Sequence, residues 1–221
     1  PIQKCVKFVL FATTIIPFPL PILFQVAVSV VEEFALDGVV YLELRTTLRP
    51  VPTCRDYLHT VIQSLTSAPS VLNELIVVRL LVSIDRARGV EEAQKAVALA
   101  IEAAHSNPDL VVGVDLSGNP NVGSLLDYVP MLNEARAHGL KTTVHLAEVP
   151  DQSSEWLAFL RSHVPDRLGH VTFLTQRDTT NAGTDTDAAR KIVLAAKTPL
   201  GRYVLPFFEV HVFVLKTYFS A

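Results

Sequence analysis

Cysteine is scarce in this chain: Cys5 and Cys54 stand far apart in 221 residues. Two such residues build no disulfide framework and no CxxC metal site, so a reducing, cytoplasmic compartment is the expectation. An excess of one charge is lacking too. The formal net charge is -3 and charged residues are 19% of the chain, with no basic cluster. That argues against a nucleic-acid partner. Glycine is thin at nine residues, and no glycine-rich loop follows the first strand-like segment. The Rossmann and P-loop readings thereby lose their phosphate cradle. No Met stands at position 1, where the chain has Pro1, and the expectation is a fragment or the product of an unusual gene structure. What is present is apolar: 49% of the residues are hydrophobic, enough for a globular chain with one sizeable core.

The longest apolar run is FVLFATTIIPFPLPILFQVAVSVV, ending at Val31. Its hydropathy fits a membrane span, but Pro17, Pro19 and Pro21 interrupt it and alternate prolines do not continue a helix. The expectation is that residues 1–23 form an ill-defined apolar segment ahead of the fold and not a membrane anchor. After it the chain alternates. Phe24–Leu36 reads as a helix, Val39–Thr46 as a strand, Cys54–Leu65 as a helix and Val77–Asp85 as a strand. Val90–His105 carries Ala93, Val97, Ala100 and Ala104 at helical spacing. Val111–Leu116 is a third strand, Leu125–His138 a helix, Lys141–Glu148 a fourth strand, Ser153–His163 a helix capped by Ser153, and Arg167–Leu174 a fifth strand. This βα rhythm with apolar strands predicts an α/β fold around a covered parallel sheet. It extends over residues 24–175. Residues 176–221 diverge from it: Asp185 and Asp187 read as cap and first-turn residues of a helix over Ala188–Lys197, and Tyr203–Phe219 as a sixth strand or an aggregation-prone tail. His211 within that last stretch takes no functional role.

The polar residues that ask for an explanation gather at the strand C-termini. KTTVHLAEVP, Lys141–Pro150, is the clearest case. His145 and Glu148 sit at or just past the end of a β-branched strand, where an imidazole can bind a metal and a carboxylate can move a proton for the water that metal activates. A lone strand His is as a rule a satisfied core residue, so the stretch needs support from elsewhere in the chain. ELRTT (Glu43–Thr47), SIDR (Ser83–Arg86), GVDLSGNP (Gly113–Pro120) and RLGH (Arg167–His170) provide it, since all fall at strand ends. A (β/α)8 barrel builds its active site at that face.

In this order and spacing these motifs resemble the adenosine deaminase family of metal-dependent (β/α)8 hydrolases, within it the adenosine deaminase-like or N6-methyl-AMP deaminase branch. The resemblance covers residues 24–175. It implies a TIM-type barrel, one zinc per chain, a purine nucleoside or nucleotide as partner, and hydrolysis of the 6-amino or 6-methylamino group. It implies that His145 is a metal ligand. Glu148 would exchange a proton with purine N1, and His170 would orient the metal-bound hydroxide. Gly118 would contact purine N3, Asp85 would hold the nucleotide, and Thr46, Thr47 and Arg49 would take the 5′-phosphate. The residues alone leave blander roles open: a turn for Gly118, a loop cap for Asp115 and Ser117, and a surface ion pair for Asp85 with Arg86 and Arg88.

The pattern is incomplete. The family's first strand carries an HxH pair of metal ligands, and no HxH exists anywhere in this sequence. Its last site strand carries an Asp pair, and no TDD or SDD follows an apolar strand here. Leu48 stands where the branch has proline in the phosphate loop. The expectation is a chain truncated at both ends, keeping the central strands of the barrel and half of the site, with weak activity or none. Alternatives are a non-catalytic nucleotide-binding module, a membrane-tethered protein, and another barrel hydrolase that shares only the fold. The oligomeric state is not legible.

Overall fold

The computed structural model describes residues 19–175, 183–198 and 200–201. They divide into two compact units between Leu81 and Val82.

The first unit opens with α1, Leu20–Leu36. The helix starts four residues before the position expected from sequence because Pro19 sits at its N-cap and Pro21 in its first turn. Proline has no hydrogen bond to lose there, and its fixed φ suits the helix start. Leu23, Ala27, Val30, Val31 and Phe34 form its buried face. β1, Tyr41–Thr47, follows. α2, Cys54–Ser67, is capped by Thr53, whose Oγ1 accepts the Asp56 N–H at 3.1 Å. α3, Pro69–Leu72, is tied to α1: Glu32 accepts both the N–H and the hydroxyl of Ser70 at 2.8 Å. Among the described residues no helix is long and apolar enough to cross a membrane. Residues 1–18, which carry the first part of the apolar run, lie outside the described residues.

β2, Val77–Asp85, leads into the second unit, and a 3-10 turn, Arg86–Arg88, follows it. Then come α4 (Val90–Ser106), β3 (Val111–Ser117), a 3-10 turn over Leu125–Tyr128, α5 (Val129–Ala137) and β4 (Lys141–Leu146). The unit continues with α6 (Ser153–Ser162), β5 (Arg167–His170), α7 (Thr172–Thr175), α8 (Gly183–Ala196) and β6 (Leu200–Gly201). β3 pairs parallel with β4, β4 with β5, and β5 with β6. Strands in sequence order, parallel and joined by helices, are the pattern of an incomplete (β/α)8 barrel. Both faces of the sheet are covered, as its apolar strands foretold: Val114, Leu116, Val144 and Leu168 have no exposed surface. Trp156, Phe159 and Leu160 of α6 and Leu132 and Ala135 of α5 are equally buried. Each large apolar side chain so enclosed contributes about 1.5–3 kcal/mol.

Five sequence expectations are corrected. β4 ends at Leu146 and not at Glu148, because Ala147 turns to φ 56°. β5 ends at His170 and not at Leu174, because His170 and Val171 turn to φ 60° and 52° and α7 begins. The N-cap of α6 is Gln152, with Ser153 already helical. α8 starts at Gly183, so Asp185 and Asp187 lie inside it. Asp185 is a first-turn residue and Asp187 pairs with Arg190 Nη1 at 2.7 Å. The segment Leu125–His138 is two elements, because the Ser124/Asp127 capping box closes a 3-10 turn before α5 begins with Pro130 in its first turn. The proposed strand over Tyr203–Phe219 lies outside the described residues.

Candidate active site at the ends of β4 and β5

Thr142, Thr143, Val144 and Leu146 hold β4 extended and buried. Parallel pairing sets His145 opposite Gly169 and Leu146 opposite His170. Gly169 matters for its missing side chain: a Cβ there would stand 3.0 Å from His145 Cδ2 and 3.3 Å from Nε2. The imidazole lies against the β5 backbone, which is a common reason for glycine inside a strand. Past the strand ends both chains leave the extended region. Ala147 has φ 56°, and the Val171 N–H donates to Leu146 O at 2.9 Å while that of Phe173 donates to Ala147 O at 3.1 Å. A positive φ at β-branched Val171 is costly, and such strain gathers at functional sites.

This geometry brings three of the predicted residues together. His170 Nε2 lies 2.7 Å from Glu148 Oε1. The His145 and His170 rings meet edge to face with centroids 4.9 Å apart. One donor atom from each of His145, Glu148 and His170 falls within 4.8 Å of the others. His145 is buried, and the His170 and Glu148 side chains are 16% and 25% exposed, so the cluster opens to solvent on one side. Behind it stands a residue the sequence reading set aside. Asp115 is wholly buried in β3 with Oδ1 3.4 Å from His145 Nε2. The signal was there, since a carboxylate inside the apolar run VVGVDL calls for a partner. It orients the imidazole.

Asp85 and Gly118 form a second contact in the same unit. Asp85 caps the 3-10 turn, accepting the Ala87 N–H at 2.9 Å, and its other oxygen lies 3.6 Å from Arg88 Nε. Gly118 has φ +96°, and a Cβ built on it would collide with Asp85 Oδ1 and come to 2.9 Å from Arg86 N. Arg86 is not the surface ion pair expected of it. It is buried, donating from Nε to Val122 O at 3.2 Å and from Nη2 to Gly123 O at 2.8 Å, with Nη2 3.5 Å from Glu155 Oε1. Glu155 Oε1 also accepts the Leu125 N–H at 2.7 Å, and Gln152 Nε2 donates to Pro120 O at 3.1 Å. The loop that begins at Gly118 is thus held from the 3-10 turn after β2 and from the start of α6. Gly118→Ala is expected to cost clearly more than the ~1–3 kcal/mol of a strained φ alone. Gly139→Ala is the control, with φ +84° and nothing within 4 Å of its Cβ. Equal losses in urea unfolding would refute the close approach.

Thr46, Thr47 and Arg49 lie in the first unit, at the end of β1 and in the loop after it. Thr46 Oγ1 shares a 2.8 Å hydrogen bond with Tyr57 OH of α2.

A parallel α/β sheet with His, Glu and His at its strand ends is the layout of the barrel enzymes that place their chemistry on that face. Residues 13–184 match the adenosine deaminase family, and the chain belongs to that family. It is 43% identical over 152 residues to an adenosine deaminase-like protein of Drosophila melanogaster, spanning 67% of this chain and 44% of the relative. It is 44% identical over 150 residues to the N6-methyl-AMP deaminase-L of Xenopus laevis, spanning 66% of this chain and 43% of the relative. A solved structure of the Arabidopsis ADAL protein complexed with IMP superposes with TM-score 0.63 at 34% identity, covering 81% of this chain and 60% of that one. The match to these two relatives thus spans less than half of their length.

Zinc sites need at least three protein ligands. Of the ligands the family pattern calls for, the described residues carry His145 alone; the HxH pair is absent from the whole sequence. The family's own four-ligand arrangement therefore does not fit the described residues. Donors for a cation are nevertheless gathered, in a different set: His145, Glu148 and His170.

Proposed function

We propose that this chain carries the purine-recognition and proton-transfer half of a purine nucleotide deaminase site, cytoplasmic as its cysteine usage supports. The reaction is hydrolytic replacement of the 6-amino or 6-methylamino group of AMP, N6-methyl-AMP or adenosine by oxygen, giving IMP or inosine. The observation that carries this reading is the 2.7 Å pairing of Glu148 with His170 beside His145. Attack at C6 requires a proton at ring N1, and a carboxylic acid facing the ring delivers it; Glu148 takes that role. His170, in contact with the Glu148 carboxylate, holds it in place and presents an imidazole to the developing charge at C6. The Gly118 N–H takes N3 and Asp85 the nucleotide sugar. Thr46, Thr47 and Arg49 offer hydroxyls and a guanidinium for a phosphate. In this family a bound zinc supplies hydroxide at neutral pH. The IMP complex of the Arabidopsis relative and the names of the relatives support the substrate class.

The absence of HxH favours a second reading, a nucleotide-binding module without turnover. One experiment separates the two. IMP binding is measured calorimetrically with EDTA present, and methylamine release from N6-methyl-AMP with zinc added. Turnover that falls about 100- to 10,000-fold in Glu148→Gln supports the deaminase. Binding without turnover supports the module, and neither binding nor turnover overturns both.

A further inference from the structure

We infer that His145, Glu148 and His170 form a cation site of their own, with Glu148 and His170 acting as direct ligands of a divalent transition metal, zinc foremost. Three donors within 4.8 Å of one another stand close to the spacing such an ion imposes. Bonds of about 2.0–2.1 Å in a tetrahedron set donor atoms roughly 3.4 Å apart. Closing the remainder takes a shift of about an ångström, shared by three side chains. Two imidazoles and one carboxylate are a borderline nitrogen and oxygen set, which suits zinc, cobalt or nickel over magnesium or calcium. The outer support is also in place. Asp115 holds the His145 ring at 3.4 Å, and Gly169 leaves that ring room against β5. His170 and Glu148 keep some exposure, so a fourth position is open to water.

The cation site shares its residues with the proposed purine site, because the same Glu148 and His170 face the ring there, and it stands apart from that reading. A cation bound by them withdraws both from the purine, so metal and nucleotide compete. The set differs from the one the family pattern implies, in which Glu148 and His170 leave the metal to other ligands. This chain lacks the HxH pair that would draw an ion away from them.

Cobalt(II) is titrated into the purified full chain, with binding followed by the visible d–d bands and confirmed by zinc competition. One cobalt per chain is expected, with tetrahedral-type bands. Affinity is expected to fall at least about 100-fold in each of His145→Gln, Glu148→Gln and His170→Gln. Two hyperfine-shifted imidazole N–H resonances are expected in the cobalt form, a count independent of any variant's folding. Affinity unchanged in Glu148→Gln or His170→Gln, one imidazole resonance, or no cobalt bound would each overturn the site. IMP titrated with and without cobalt keeps the two readings apart. IMP binding in EDTA with no cobalt uptake leaves the purine site standing and removes the metal site. Cobalt uptake with no IMP binding in EDTA does the reverse.

Discussion

Arg86→Ala lowers the free energy of unfolding by about 3–5 kcal/mol, the range for breaking a buried charged pair by removing one partner. Arg86 is 3% exposed, and its guanidinium serves three acceptors: Val122 O, Gly123 O and Glu155 Oε1. Its own backbone oxygen accepts from Tyr128 OH at 3.0 Å. Alanine leaves two loop carbonyls unserved and a part-buried carboxylate without its cation, while Glu155 keeps the Leu125 N–H. Arg86→Lys restores little, because one ammonium on a flexible stem does not reproduce a planar fork with donors at fixed angles. Urea unfolding checks the loss. A double-mutant cycle with Glu155→Ala isolates the pair, with an expected coupling of about 1–3 kcal/mol. A loss below about 1 kcal/mol for Arg86→Ala sinks the argument. The loop so held begins at Gly118, which places the substitution on the path from stability to the proposed purine site. IMP binding is expected to weaken alongside.

The contrast between Arg86 and His145 shows what the sequence makes legible. His145 and Glu148 are legible because β4 has a local signature, β-branched residues and then a polar step at the C-terminal end; His170, on β5, is legible only through the resemblance that RLGH shares in. Parallel pairing does the rest, setting residue 145 beside 169 and 146 beside 170. The alternation of helix and strand was readable for the same reason, since each apolar period is local. Ends of elements were less so. Nothing in RLGHVTFL marks His170 as the last strand residue, because the turn there is imposed by Val171 and Phe173 bonding back to Leu146 and Ala147. Arg86 was misread because its partners are residues 122, 123 and 155, separated from it by 36 positions or more. An arginine two positions before another in a polar run looks solvated; only the fold closes a loop over it. Asp115 lies between these cases. Its buried strand was visible, and its partner His145 was not.

Acid is expected to destabilise the second unit well before its carboxylates protonate, through His163. The ring is 3% exposed at the opposite end of β4 from the His145–Glu148–His170 cluster, with Nδ1 2.8 Å from Asn133 Oδ1 and Nε2 3.1 Å from Thr142 Oγ1. Burial lowers its pKa from 6.5 to about 4, the Arg136 guanidinium adds to the shift, and Asp166 opposes it. The folded state therefore resists a proton that the unfolded chain accepts from about pH 6.5 downward. Stability from this group is full above pH 6.5 and is lost as pH falls toward 4, by about 2.5 kcal/mol between pH 7 and pH 4.5. Asp166 continues the loss at lower pH. Burial alone would raise its pKa, but the N–H and hydroxyl of Thr142 and the ammonium of Lys141 hold it below the ordinary 3.8. Its contribution is thus present above that value and disappears below it. His163→Gln tests the assignment, because an amide can occupy the same hydrogen bonds and does not titrate. Thermal unfolding across pH 4.5–7 is expected to show a steep slope in the wild type and a nearly flat one in the variant. Parallel slopes would place the acid sensitivity elsewhere. A flat variant that is also less stable at pH 7 would mean that the Asn133–His163–Thr142 chain fixes α5 and the N-terminal end of β4 together. The proposed active-site face would then rely on a neutral histidine at the far end of the same strand.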